Sequence, residues 1–236
     1  MNAQTPNALS TVALVGNPNA GKSALFNALT GARQKIANYP GVTVERKAGR
    51  LDLPGGASVT LLDLPGSYSL TAASPDEEVT AKTIFGEWQG ELAPQVLVVV
   101  VDASNLEQHL VFAQEVIAIG RPVVVALNMV DLAERDGLVI DPAALAEGLG
   151  VPVIPTVAVR RKGLAELAEA VAQASGQDAH HHQPYTTLSE RRFTARAIAE
   201  AAIVSETTRH RLHAQLDRLF LHPWAGPLIL FALLFV

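Results

Sequence analysis

The hydrophobic pattern of the chain alternates between two periods. Thr11 to Val15, Val96 to Val101, Pro122 to Asn128 and Val151 to Thr156 are short, nearly continuous apolar runs, as expected of strands buried on both faces of a parallel sheet. Between them the apolar positions fall at helical spacing. Ala24 to Leu29 opens one helix, and others are predicted over Pro75 to Glu87, Asn105 to Ile119, Pro142 to Leu149 and Leu164 to Ala174. Leu106, Leu110, Ala113 and Ile117 form one stripe that would face the sheet. Thr43 to Leu53 and Ala57 to Asp63 are strand-like runs on either side of Pro54-Gly55-Gly56, a hairpin signal. Ala32 to Val42, with Asn38-Tyr39-Pro40-Gly41, has turn chemistry and few anchors and reads as a mobile loop. Alternation of this kind predicts an α/β fold: a mostly parallel, doubly wound sheet with one antiparallel edge strand.

The pattern changes near Ser175, so 1–174 is expected to form one domain. Gly176 to Tyr185 is polar, closes on Pro184-Tyr185 and reads as a linker. Past Thr187 there is no proline until Pro223, and Leu212, Leu216, Leu219 and Phe220 recur at helical spacing, so 175–222 is expected to hold the linker and a small helical domain. Residues 223–236 carry no charge and open on Pro223-Trp224. A spanning helix needs about 20 apolar residues, so this stretch is read as the start of a truncated transmembrane segment with Trp224 as interfacial anchor. Arg191, Arg192, Arg196, Arg209, Arg211 and Arg218 are most simply a solvated face, with a membrane-facing role as the second reading. His180-His181-His182 is a weak metal site, because three consecutive residues of a regular element cannot all point at one ion.

Composition removes several function classes. With 236 residues and 49% hydrophobic content the chain can bury a full core, and a net charge of −5 argues against nucleic acid as a partner. There is no cysteine, which excludes disulfides and thiolate metal sites. Met1 to Ser10 lacks the basic-then-apolar pattern of a secretory signal.

The chemistry sits where strands end. Gly16-Asn17-Pro18-Asn19-Ala20-Gly21-Lys22-Ser23 fits G-x-x-x-x-G-K-[ST] between the first strand and a helix that continues through Ala24. Its glycines let successive N–H groups curl towards an anion, Lys22 would reach the β- and γ-phosphates, and the Ser23 hydroxyl would serve Mg²⁺. Alone, the octet is also matched by a glycine-rich turn before a helix. Asp63-Leu64-Pro65-Gly66 follows as D-x-x-G: Asp63 for the Mg²⁺ shell, Gly66 for a backbone N–H at the γ-phosphate. Asn128-Met129-Val130-Asp131 is an N-x-x-D in which the Asp131 carboxylate would accept the N1–H and 2-amino donors of guanine, which adenine lacks. Three motifs in this order, each at a strand end, define a GTPase with GTP and GDP as ligands and a Ras-like sheet. Thr43, at the border of the mobile loop, is assigned to sense Mg²⁺ and the γ-phosphate. Asn19 is either a potassium ligand or a residue that shapes the loop by local hydrogen bonds.

The segments GNPNAGKSALFNALTG, NYPGVTVERKAG, LLDLPGSYSL, VVDASNLEQHL and ALNMVDLAE resemble the cytoplasmic N-terminal domain of the FeoB family of bacterial ferrous iron transporters, over nearly all of Thr11 to Ala174. The resemblance implies a GTPase domain, a helical domain that couples nucleotide state to the pore, and a membrane-embedded remainder of the same transporter. The cytoplasmic face of the inner membrane would be its location; a homo-oligomer is one expectation, which the sequence alone does not decide. It also points to potassium activation through Asn19. The assigned catalytic set is Lys22, Thr43, Gly66 and Asn19. Two features depart from a Ras-like site. Ser67 stands where a water-orienting glutamine is usual, so slow turnover is expected. The base loop reads Val157-Ala158-Val159 before Arg160-Arg161-Lys162 instead of Ser-Ala-Lys, which leaves backbone contact at Val157 and Ala158 and predicts modest affinity. The rival readings are a soluble potassium-dependent GTPase of ribosome or tRNA maturation, and a binding switch that holds GTP without productive hydrolysis. The acidic charge and the apolar 223–236 favour the transporter.

Overall fold

A computed structural model describes residues 11–31, 34–39, 43–88, 92–176 and 187–206. In chain order the elements are β1 (Thr11–Gly16), α1 (Lys22–Thr30), β2 (Gln34–Asn38), β3 (Glu45–Asp52), β4 (Ser58–Asp63), α2 (Pro75–Phe85), β5 (Val96–Asp102), α3 (Leu106–Ile117), β6 (Val123–Asn128), α4 (Val130–Arg135), β7 (Leu138–Ile140), α5 (Pro142–Leu149), β8 (Val153–Thr156), α6 (Leu164–Ala174), α7 (Leu188–Ala202) and β9 (Ile203–Glu206). Seven strands form one sheet in the order β2-β3-β4-β1-β5-β6-β8, and β7 and β9 pair separately.

Strand alternation sorts the core into two layers. Val12, Leu14, Val96, Val98, Val100 and Val124 pack beneath Leu25 and Phe26 of α1 and Leu167 and Val171 of α6. Ala13, Val15, Leu97, Val99, Val101 and Val125 point to the opposite face, where they meet α2, α3, α5 and α7. Both faces are covered, which is why these strands read as unbroken apolar runs. The chain winds from β1 out to β4 on one side and returns to β5 on the other. That places the topological switch point at the C-terminal end of β1, where open α/β sheets bind ligands. The register brings the motif-bearing strand ends to the same edge: Leu14 lies opposite Asp63, Asp102 opposite Asn128, and Asn128 opposite Thr156.

The structure departs from the sequence reading at four places. Gln34–Asn38, expected to be loop, is an edge strand antiparallel to β3, which itself runs antiparallel to β4. All five of its residues are exposed, so its pairing is carried by backbone hydrogen bonds and leaves no period-two signal. The same stretch does have an anchor: Tyr39 is buried and stacks on Trp88 with ring centroids 5.3 Å apart. The strand expected from Thr43 begins at Glu45, leaving Thr43 exposed ahead of it. Short α4 and β7 fill a stretch for which no element was expected. Finally, the one described helix past Thr187 ends at Ala202, and Ile203 and Val204 open an unexpected strand paired to β7.

α7 does not stand apart from the sheet. A capping box starts it, Thr187 and Glu190 exchanging side-chain and backbone hydrogen bonds of 2.7 and 3.3 Å. Its buried residues Ala195, Ile198, Ala199 and Ala202 share the core with α3 and α5. A β-carbon added to Gly148 of α5 would come within 3.0 Å of Ile198, so α5 and α7 are in close contact there. Among the described residues no helix is long and apolar enough to cross a membrane. His180 to His182, Leu212 to Phe220, Arg209, Arg211, Arg218 and 223–236 lie outside the described residues.

Candidate functional site

The phosphate loop leaves β1 at Gly16 and closes on α1 through Gly21. Gly21 adopts φ +80°, and a β-carbon there would lie 2.3 Å from Asn128 Nδ2, so conformation and space both require glycine. Lys22 and Asp63 are buried and paired, Nζ to Oδ1 at 2.7 Å. The other oxygen, Oδ2, accepts from Ser23 Oγ at 2.9 Å. A charge left alone at that depth would be costly, so removing either partner would leave the other uncompensated.

Two adjoining clefts run across this loop. One, of about 570 Å³, is lined by Lys22, Ser23, Thr43, Asp63, Gly66 and Asp76 among others. Its neighbour, of about 510 Å³, adds Asn17, Pro18, Asn19, Gly21 and Ala24 while sharing Lys22, Ser23, Gly66 and Asp76. The phosphate loop, Thr43 and the D-x-x-G therefore face one groove. Gly66 lies against Pro18, where a β-carbon would approach three atoms at 3.0 Å. Asn19 takes φ +66°, is exposed, and its side chain makes no hydrogen bond among the described residues. Ala20 is fully buried, and Asn17 is nearly so, its Oδ1 having no hydrogen-bond partner among the described residues.

Ser67 turns away from the groove. It is fully buried, its N–H donates to Gly16 O at 3.1 Å, and it lines neither cleft. The loop beyond it is held by Glu77, whose carboxylate accepts from the N–H groups of Tyr68 at 3.2 Å and Ala73 at 3.0 Å. Thr80 Oγ1 donates to Pro65 O at 3.0 Å. Ser74-Pro75-Asp76-Glu77 carries the S-x-x-E pattern of a helix start, which could have pointed to Glu77. In the structure that carboxylate is used on the preceding loop, while the cap is made by the Glu77 N–H donating to Ser74 Oγ at 3.3 Å.

On the far side of the phosphate loop, Asn128 joins three segments. Its Nδ2 donates to Ala20 O at 3.0 Å, while Oδ1 accepts from Ala158 N at 3.2 Å and Thr156 Oγ1 at 3.3 Å. Met129, in the left-handed region at φ +62°, turns the chain so that Asp131 falls in the first turn of α4. Val157 and Ala158 are buried, and Val157 pairs with Lys162 across a tight turn. That turn brings Arg160 Nε to 3.5 Å from Asp131 Oδ2. Thr156 and Arg160 are contacts that sequence reasoning missed, since the first is fixed by pairing of β8 with β6 and the second by the turn between Val157 and Lys162. At the end of β5, His109 accepts from Asp102 N–H at 3.2 Å through Nδ1, and burial lowers its pKa, outweighing the nearby Asp102 charge. Among the described residues no group of three or more His, Cys, Asp or Glu could hold a metal ion by itself.

Fold and site together define a P-loop nucleotide-binding domain of the Ras-like, doubly wound class. Residues 10–171 match the family described as Ferrous iron transport protein B, and the chain belongs to that FeoB family. It is 43% identical over 198 residues to the Fe(2+) transporter FeoB of Salmonella typhimurium, covering 80% of this chain and 25% of that protein. The chain thus spans about a quarter of the length of the curated relatives it matches. The cytosolic domain of L. pneumophila FeoB superposes with a TM-score of 0.67 at 40% identity, covering 75% of this chain and 67% of that one. The cytosolic domain of T. maritima FeoB in its GMPPNP form gives 0.68 at 32% identity, over 93% and 84%. Its GDP form I gives 0.75 at 27% identity, over 85% and 100%.

Proposed function

We propose that this chain binds GTP and GDP and hydrolyses GTP slowly to GDP and phosphate. In this reading it is the cytoplasmic domain that regulates or drives ferrous iron uptake by the membrane-embedded remainder of its transporter, at the inner membrane. The observation that carries the reading is Asn128, which ties the phosphate loop at Ala20 to the base loop at Ala158 and so joins the two halves of a guanine-nucleotide site. The T. maritima domain was solved in GDP and GMPPNP forms, which supports the ligand class. Residues 1–174 act as the nucleotide-binding unit and 175–222 as linker and coupling segment, with 223–236 as the start of a span. α7 begins the coupling segment while sharing the core of the first unit.

Lys22 is placed to exchange Asp63 for the β- and γ-phosphates, which releases the carboxylate. Ser23, Asp63 and Thr43 are hard oxygen donors on one groove, the donor set that suits Mg²⁺, which when bound would neutralise charge on the phosphates. Gly66 offers a backbone N–H beside the γ-phosphate, and Ser67, buried beneath the loop, takes no part in orienting water. Asp131 selects guanine, with Val157, Ala158 and Met129 closing the base pocket.

Steady-state hydrolysis of GTP and ATP in Mg²⁺ tests the activity; equal rates with both would refute it. Iron uptake by the full-length transporter carrying Lys22→Ala tests the assignment to transport, and unchanged uptake would remove it. Thr43→Ala is expected to slow single-turnover hydrolysis by about 10²-fold, as removal of one transition-state donor does, while GDP affinity stays near that of the parent. A large loss of GDP affinity with normal turnover would place the sensing residue elsewhere.

Asn19 presents a free amide oxygen on the groove beside Lys22 and suits a monovalent cation. K⁺ there would supply the charge that an arginine finger supplies elsewhere. Potassium in place of sodium, at equal ionic strength, is expected to raise turnover by at least about tenfold, well below the range for arginine fingers. Asn19→Ala should abolish that difference, and undiminished stimulation in the variant would exclude Asn19.

A further inference from the structure

Glu115 lies on α3, on the sheet face covered by α7, and its buried carboxylate joins two segments distant in sequence. Oε1 accepts from Ser69 Oγ at 3.1 Å, and Oε2 lies 2.8 Å from Arg191 Nη1 of α7. The adjacent Gln114 donates through Nε2 to Arg191 O at 3.1 Å, which fixes the backbone of α7 at the same point. A carboxylate that is 3% exposed is costly to bury unless its charge is balanced and its oxygens are engaged. Here one oxygen serves the loop and the other serves α7. Ser69 in turn accepts from Thr71 N–H at 3.0 Å, so its hydroxyl organises the loop that begins at Gly66.

Two carboxylates therefore hold this loop, and they differ in kind. Glu77 stands on α2, the element that directly follows the loop, and accepts from Tyr68 and Ala73. Glu115 stands on α3, packed in the core, and so fixes the loop to the frame. We propose that Glu115 is a positioning residue for the loop beyond Gly66 and that Arg191 sets it, so that the seating of α7 decides how firmly the loop is held beside the nucleotide. The inference rests on the reading above, in which Gly66 faces the γ-phosphate. By linkage, a ligand that reorders the loop changes the seat of α7 by the same free energy.

The test uses the full chain and five forms: parent, Ser69→Ala, Arg191→Met, the Ser69→Ala/Arg191→Met double, and Glu115→Gln/Arg191→Met. Single-turnover GTP hydrolysis, GDP affinity and amide exchange across 68–73 are measured on each. Ser69→Ala and Arg191→Met should each slow hydrolysis by about tenfold, within the range for coupled sites, with GDP affinity unchanged and faster exchange in the loop. The Ser69→Ala/Arg191→Met double should be no slower than the slower single, because both act through one carboxylate. Glu115→Gln/Arg191→Met keeps an amide oxygen for Ser69 and leaves no unbalanced charge, so it should recover most of the parental rate. Multiplying effects in the first double, or no recovery in the second, would overturn the inference. If the parent itself fails to hydrolyse GTP, the proposed function falls separately. Loop exchange then decides this inference: acceleration in Arg191→Met upholds it and parental exchange refutes it.

Discussion

Asp131→Asn is expected to lower GTP affinity by about 10⁴-fold, the scale on which sites built to pair polar groups reject a mismatched ligand. The same change should raise affinity for xanthosine triphosphate, whose C2 carbonyl accepts from the new amide. The carboxylate is the only group at this position that takes both guanine donors, and it sits in the first turn of α4, held there by the turn at Met129. Arg160 does not alter the sign. Its Nε is 3.5 Å from Asp131 Oδ2 but its side chain is 71% exposed, and such pairs contribute at most about 1 kcal/mol. Guanine can therefore displace it, and the variant loses little by leaving Arg160 unpaired. Calorimetric titration of parent and variant with GTP, ATP and xanthosine triphosphate checks this. Equal ATP and GTP affinity in the parent would sink the base assignment.

Asn128→Ala should damage both binding and stability. It removes the acceptor of the buried Ala158 N–H and the donor to Ala20 O. Leaving each such group unsatisfied costs about 1–3 kcal/mol, so a loss of about 2–4 kcal/mol is expected, or roughly 5–15 °C in Tm for a domain of this size. Nucleotide affinity should fall by about 10²-fold or more, since the phosphate loop and base loop are no longer tied to each other. Thr156→Val, which removes long hydroxyl contacts of 3.3 Å to Asn128 Oδ1 and 3.4 Å to Leu127 O, is the control and should cost about 1 kcal/mol. Differential scanning calorimetry with and without GDP separates the two effects. A parental Tm with parental affinity in Asn128→Ala would mean that the three segments are held by something else.

The parts of the site that were legible in the sequence are those whose chemistry is local. A glycine octet before a helix, D-x-x-G and N-x-x-D each carry their meaning within a few residues, and the sheet register then brings them to one edge. The valine-rich strands were legible because burial on both faces leaves no polar position. What escaped depends on partners far along the chain. β2 is exposed at every position and exists only because β3 pairs with it. β7 and β9 are short, and each is a strand only in the presence of the other. Glu115, Ser69 and Arg191 carry no pattern at all, because their link is made by the packing of α7 on α3. The helical repeat at Leu212 to Phe220 lies outside the described residues, while the end of α7 at Ala202 coincides with the start of pairing with β7 and carries no local stop signal.

The pairing of β9 with β7 also fixes how the domain would bear a mechanical load. Glu206 lies opposite Leu138, and Ile203 opposite Ile140, with a bulge between. A pull on the chain at Glu206 would first meet this two-stranded patch, whose hydrogen bonds are few and whose Val139 and Val204 are open to water. Tension held by the patch passes into β7, which follows directly on α4 and hence on Asp131. Tension that breaks the patch reaches α7 instead, and through Arg191 the loop beyond Gly66. The bulged patch would thus be the weak link: small forces would arrive near Asp131, and larger ones at the loop beyond Gly66.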